Sequence, residues 1–295
     1  MPGEVELNRQ VIQPQESTTN AQSPVRARSR SVSCAATSIL IGLTQGFGIY
    51  LVSSNLSQIQ GSLGATGVEA LYLTTAYFSS ALTATVLLTK FRLHFGLRQF
   101  ALLGLVSFLI VSLLHLATNS LGTAIAVRIA LGVAAAPLST LAAFYMMEAF
   151  PPAHVRTGLL LGFCVLQVGA PLSRVVSPDL LELGRWHGLF LLDVALAILS
   201  VAAIHAVPLT PVPTRAAFSR GDVPAFVLYA TGMGLLCIVL SLGTSCWWTD
   251  APWLGYGAAG SIALLAAYVV VDFPRENPLL NLRWMVTPYM LRFFF

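Results

Sequence analysis

The segment Val127-Arg128-Ile129-Ala130-Leu131-Gly132-Val133-Ala134-Ala135-Ala136-Pro137-Leu138-Ser139-Thr140 decides how the rest of the chain is read. It lies inside an apolar run, near Gly122–Met147, long enough to cross a bilayer as one helix. Arg128 is therefore a charge at membrane depth. An arginine at the centre of a lipid-facing helix costs about 2.5–3.5 kcal/mol on insertion scales. Its side chain is expected to face a bundle interior or a watery cavity. Gly132 follows one turn later, with Ala135 and Ala136 a turn beyond. Small residues at this spacing let a neighbouring helix approach closely. Two readings of Arg128 stand side by side. One is a functional residue, the default for an intramembrane charge. The other is a structural arginine bonded to a backbone carbonyl or a helix end.

Composition extends this reading to the whole chain. Hydrophobic residues make up 56% and charged residues 9%, against about 25% charged in a soluble domain. Mean hydropathy is +0.77. The fold class that follows is an all-α, polytopic membrane helix bundle. A net charge of +4 does not imply nucleic acid, because the basic residues lie between apolar runs. Cys34, Cys164, Cys237 and Cys246 show neither metal spacing nor a disulfide framework. The histidines, His94, His115, His154, His187 and His205, form no zinc spacing, and no nucleophile stands beside a base. A phosphate-cradling glycine loop is missing too. No catalytic residue, metal or cofactor is expected, and neither an enzyme nor an ATP-driven transporter is supported.

Taken in order, residues 1–33 are polar, rich in Gln, Ser and Thr, and expected to be a disordered tail. Arg26, Arg28 and Arg30 at its end should hold the N-terminus in the cytoplasm. Apolar runs follow near Ala35–Leu56, Ala70–Thr89, Gln99–Ala117, Gly122–Met147, Thr157–Ser177, Gly188–Val207, Val223–Gly243 and Trp253–Val271. Each is expected to be a helix, because lipid cannot satisfy free backbone groups. One set of connectors carries Lys90, Arg92, Arg98, Arg156, Arg215, Arg220, Arg275 and Arg283, and the alternate set only Arg185. That asymmetry places every basic connector in the cytoplasm. Trp186, Trp247, Trp248 and Trp253 gather at the opposite side, where an aromatic belt lies. The proline-bearing connector 208–222 divides a six-helix block, 34–207, from a further helix pair, 223–272. Residues 273–295 form a connector and the start of a ninth span, too short to cross by itself.

Several motifs now resemble one family, the 14-spanner drug:proton antiporters of the major facilitator superfamily, the EmrB/QacA type. Arg128 to Pro137 is similar to the superfamily's fourth-helix motif, with Gly132 four residues after the arginine. Phe150-Pro151-Pro152-Ala153-His154-Val155-Arg156 resembles the family's Pro-Pro-x-x-Arg connector. Arg185-Trp186-His187-Gly188-Leu189-Phe190-Leu191-Leu192-Asp193 resembles its entry to the sixth helix. Glu276-Asn277-Pro278 through Leu282-Arg283-Trp284-Met285 resembles the stretch before its ninth helix. The resemblance implies a transporter of the bacterial inner membrane that exports small lipophilic or amphipathic substrates against entering protons. It also implies a membrane-fusion adaptor protein as a possible partner beyond the lipid bilayer itself.

Departures from the family pattern are equally specific. Its first helix usually carries an aspartate, whereas Tyr50-Leu51-Val52-Ser53-Ser54-Asn55 has no carboxylate. Its gating connector is reduced here to Thr89-Lys90-Phe91-Arg92-Leu93-His94-Phe95-Gly96-Leu97-Arg98, with Leu93 where the aspartate belongs. Lys90, Arg92, Gly96 and Arg98 remain as gating-loop candidates. Pro171-Leu172-Ser173-Arg174 stands near the place of a degraded antiporter motif. The transport or coupling candidates are Arg128, Gly132, Pro137, Arg174 and Asp193. Arg174 and Asp193 lie at similar depth, which predicts an ion pair between the fifth and sixth spans. That pair reads either as structural or as a proton-sensitive carboxylate beside an arginine. Tyr50, Asn55, Tyr77, Tyr145 and Gln167 are further candidates for a polar pathway, and Glu69 and Glu148 are expected at span ends. The rival to a transporter is a non-transporting membrane protein, a scaffold, regulator or remnant. The chain as given is expected not to transport alone, because alternating access needs two halves.

Overall fold

The computed structural model describes residues 24–182, 188–210, 213–214, 217–219, 221–248, 250–281 and 283, with only the backbone of 24–27 and 176–182. Ten α-helices and no strand occur among them: α1 (Pro24–Ser54), α2 (Leu56–Leu63), α3 (Gly67–Thr85), α4 (Leu88–Phe95), α5 (Leu97–His115), α6 (Leu121–Ala149), α7 (Val155–Glu182), α8 (Gly188–Ala206), α9 (Asp222–Leu242) and α10 (Pro252–Asp272). Seven of these are long and apolar enough to cross a membrane, or eight if the bent α3–α4 pair is one span. The expected tail boundary moves, because α1 is already helical from Pro24. The expected start of a ninth span, from Thr287 onward, lies outside the described residues.

Local chemistry sets several of these ends. Thr66 and Glu69 form a reciprocal capping box at the start of α3, with the Thr66 amide donating to Glu69 at 2.7 Å. Ser120 and Thr123 do the same for α6. The second expected span is not straight: α3 and α4 meet at 53°. Thr83 and Thr85 donate back to the Ser80 and Ala81 carbonyls just before the break, a habit that bends helices. Gly96 has φ 79° between α4 and α5, a conformation that costs other residues strain.

The bundle is built around α6, which packs on α1, α3, α5 and α7. Two glycine contacts explain how closely. A methyl group on Gly132 would overlap the Ser80 hydroxyl and the Tyr77 carbonyl of α3. One on Gly46 of α1 would come within 2.9 Å of the Gly169 Cα of α7. Crossings this tight replace the hydrophobic drive that lipid removes with direct backbone packing. Pro137 of α6 seats against Gly104 of α5. The α9–α10 pair packs on itself and, through α9, on α3.

The two ends of the bundle differ in charge. At one end Arg30 of α1 pairs with Glu148 of α6 at 2.6 Å, and Thr210 donates to the same carboxylate. Lys90 and Arg275 meet Asp222 there as well. Trp247, Trp248 and Trp253 lie exposed at the α9–α10 turn, at the opposite end.

Candidate functional site

Four helices converge on Arg128. It is seven residues into α6, and Asp193 is five into α8. At the rise of an α-helix these positions lie roughly 10 and 8 Å from the same end of the bundle. The far ends of the two helices also sit level, since the Tyr145 hydroxyl donates to the Val207 carbonyl at 2.9 Å. Arg128 is 1% exposed. Its Nη1 donates to the Gly48 carbonyl of α1 at 2.8 Å, and its Nε to the Leu73 carbonyl of α3 at 3.3 Å. The guanidinium lies 4.5 Å from the Tyr77 ring centroid, a cation–π contact.

Those bonds leave polar atoms over. Arg128 Nη2, the Tyr77 hydroxyl and both carboxylate oxygens of Asp193 are buried with no hydrogen-bond partner among the described residues. Gln45 Oε1, Thr75 Oγ1 and Ser112 Oγ share that condition. Asp193 is fully buried, and Arg128 is the charged group that acts on it electrostatically. Tyr77 feels both charges. Unsatisfied polar groups in a low-dielectric interior are costly, so a concentration of them marks a place where something other than stability is being maintained.

The expected Arg174–Asp193 ion pair is not formed. Arg174 is exposed on α7, while Asp193 is fully buried and within electrostatic reach of Arg128. Similar depth was a correct basis for pairing but did not include rotation about the helix axis. Arg128 has the same depth, and counting in from the common end would have found it. Gly132 and Pro137 occupy helix crossings rather than the charged centre. Among the pathway candidates, Tyr77 belongs to the site. Tyr50 donates to Gln167 at 3.4 Å between α1 and α7, and Asn55 donates to the Leu51 carbonyl at 2.7 Å.

The gating-loop candidates divide. Lys90 is 5% exposed and donates to Asp222 at 2.6 Å and to the Asn277 carbonyl at 3.0 Å. Asp222 also accepts from the Ser219 amide at 2.9 Å and pairs with Arg275. Arg275 donates to Asp272 at 3.0 Å, and Asp272 further accepts from Tyr268 and the Leu279 amide. Burial opposes the charge on Arg275, but its bonds to Asp222 and Asp272 outweigh that and hold its pKa above the ordinary value. This cluster ties α4 to the start of α9 and the end of α10, at the end of that pair away from its turn. Sequence reading missed it, although Asp222 and Asp272 at opposite ends of one hairpin were a visible signal. Arg92 instead stacks 4.9 Å from the Phe144 ring centroid. Arg98 is exposed at the start of α5, and Gly96 abuts Thr214.

Comparison with known proteins follows the same architecture. Residues 38–271 match the Major Facilitator Superfamily. A putative multidrug resistance protein MdtD of Salmonella paratyphi B is 26% identical over 247 residues, covering 81% of this chain and 50% of the relative. Proteins of the same name from Salmonella newport and Salmonella typhimurium are 26% identical over 255 residues, covering 82% of this chain and 52% of each relative. The chain spans about half the length of the curated relatives it matches. With an all-helical bundle of seven to eight candidate spans and a family match running from residue 38 to 271, the chain belongs to the Major Facilitator Superfamily.

Proposed function

We propose that the chain forms the N-terminal half and extra helix pair of a 14-span, proton-driven exporter of hydrophobic or amphipathic small molecules. In this reading residues 34–207 are the six-helix N-terminal domain, 208–222 a cytoplasmic linker, and 223–272 the extra pair. It is a carrier rather than an enzyme, set in the bacterial inner membrane with its N-terminus and basic connectors in the cytoplasm. The observation that carries the reading is the buried Asp193 carboxylate, which lies in electrostatic reach of Arg128 and has no hydrogen-bond partner among the described residues. In the proposed mechanism Asp193 alternates between holding a proton and facing Arg128 as an anion. Charge neutralisation and restoration inside the half then bias it between two orientations. Alternating access moves two halves around a midplane site, so transport is proposed for this half joined to a second one.

A second reading, a non-transporting membrane protein, draws support from the bonds of Arg128 to the Gly48 and Leu73 carbonyls. These are what a structural arginine makes. Proton-gradient-driven efflux of lipophilic cations from vesicles separates the two, using a form that carries both halves. Asp193→Asn and Arg128→Ala should each abolish efflux with membrane insertion unchanged. Unaltered efflux in both would remove the coupling role, and loss of folded protein in Arg128→Ala alone would favour the structural reading. Orientation is tested separately in a cysteine-free background. Ser245→Cys should react with an impermeant thiol reagent from outside and Thr214→Cys should not, and the reverse pattern would overturn the proposed topology.

A further inference from the structure

A cavity of about 650 Å³ opens at the basic end of the bundle, between the start of α1, the start of α5 and the segment that follows α8. Arg30, Arg98, Ser29, Ser33 and Thr210 supply its polar wall, and Val207, Pro208 and Leu209 its apolar wall. We propose that it binds the phosphate head group of an anionic phospholipid.

The charges at this cavity are arranged unevenly. Glu148 accepts from Arg30 at 2.6 Å and from the Thr210 hydroxyl and amide at 2.8 and 3.3 Å. One carboxylate thus orders two of the walls and is itself used up by them. Arg98 is exposed and forms no ion pair among the described residues. Two guanidinium groups against one carboxylate leave a net positive charge at the mouth. Guanidinium matches phosphate oxygens in a fork of parallel donors, and the Ser29 hydroxyl adds a donor, while the Ser33 hydroxyl already donates to the Ser29 carbonyl at 3.0 Å. The Val207 carbonyl at the end of α8 is turned to the Tyr145 hydroxyl, which donates to it at 2.9 Å.

The surroundings select a lipid over a free anion. The cavity sits where α5 begins and α8 ends. The outward faces of both helices expose large apolar side chains, Leu103, Val106 and Ile110 on α5 and Ile198 and Leu199 on α8. A crevice of about 10 Å³ beside Arg98 is too small for an acyl chain. A head group seated on Arg98 instead has the exposed apolar faces of α5 and α8 beside it for its acyl chains. Basic pockets between helices at the cytoplasmic face are suited to anionic head groups. The physiological meaning rests on the proposed orientation, whereas binding in detergent does not, so the two can fail separately.

The experiment is native mass spectrometry of the purified 295-residue chain in detergent, titrated with phosphatidylglycerol or with phosphatidylcholine of the same acyl chains. The expected result is preferential retention of phosphatidylglycerol. Arg98→Gln should weaken that retention about fivefold, with partial recovery in Arg98→Lys. Arg156→Gln removes a cation from the same end outside the cavity and should leave retention unchanged. Inorganic phosphate at millimolar concentration should not displace the lipid. Equal retention of the two lipids by the unaltered chain would overturn the proposal without any variant having to fold. So would equal losses in Arg98→Gln and Arg156→Gln. Displacement by inorganic phosphate would show a free-anion site and overturn the lipid assignment.

Discussion

Two groups of buried charge in this bundle are built on opposite plans. At the basic end, Lys90, Asp222, Arg275 and Asp272 interlock so that each carboxylate accepts several donors, backbone amides included. In the interior, Asp193 accepts none from the described residues, and Arg128 keeps one nitrogen unbonded to any of them. Lys90, Asp222 and Asp272 are as little exposed as Arg128 and Asp193, and only Arg275 is partly exposed, so surface exposure by itself does not separate the two groups. Satisfaction does. The first behaves as a clamp, holding α4 against the ends of the α9–α10 pair. The second holds its charges near each other without closing the bonds, which is the condition under which a proton or a movement can change the arrangement. A charged cluster within a membrane protein is therefore better classified by its leftover donors and acceptors than by its depth.

The comparison can be broken most directly by removing one acid from each group. Among the described residues, Asp222→Ala takes the only carboxylate from the buried Lys90, while Arg275 keeps Asp272, and should lower stability by about 3–5 kcal/mol. Asp193→Asn breaks no hydrogen bond among the described residues, and Arg128 keeps its two backbone carbonyls, so the loss should be smaller than for Asp222→Ala. Thermal unfolding of the detergent-solubilised protein checks both, and equal losses would erase the distinction. Next in size, Gly132→Val pushes a side chain into Ser80 and the Tyr77 carbonyl and should cost about 1–3 kcal/mol. That measures how far the α3–α6 crossing, rather than the charge, holds the Arg128 site together.

Smaller effects sharpen the picture. A double-mutant cycle of Arg128→Met and Asp193→Asn should show a coupling of about 0.5–1 kcal/mol or more. The same cycle with Arg174→Ala in place of Arg128→Met should be additive within about 0.5 kcal/mol, because Arg174 lies exposed on another helix. The reverse ranking would restore the pairing expected from sequence. Last, the half-exposed Arg30–Glu148 pair should contribute about 0–1 kcal/mol. Its contribution should vanish at 1 M salt, whereas the buried Lys90–Asp222 pair should persist.

The helices themselves were readable along the chain. Eight apolar runs separated by charged connectors leave little choice, since a backbone in hydrocarbon must bond within its own segment. Capping residues such as Ser120 and Thr66 show where two of them begin. Less readable was the break after Thr85, where back-bonding hydroxyls act together with packing. The helical start at Pro24 also escaped, because polar residues ahead of a span look the same whether or not the helix runs on.

Arg128 as a buried charge facing inward was determined by sequence alone: lipid makes any other placement costly, and the small residues after it mark a close helix neighbour. Depth along each helix was also determined, because it follows from counting residues at a fixed rise. Rotation and neighbour order were not. Whether Asp193 lies near Arg128 or Arg174, and whether Lys90 turns toward a gate or toward Asp222, depends on how the helices pack against one another. Those choices are made by contacts such as Gly132 on Ser80 and Gly46 on Gly169, between residues far apart in sequence. Only the tertiary structure decides them, because the angular position of a side chain about its helix has meaning only relative to a neighbouring helix.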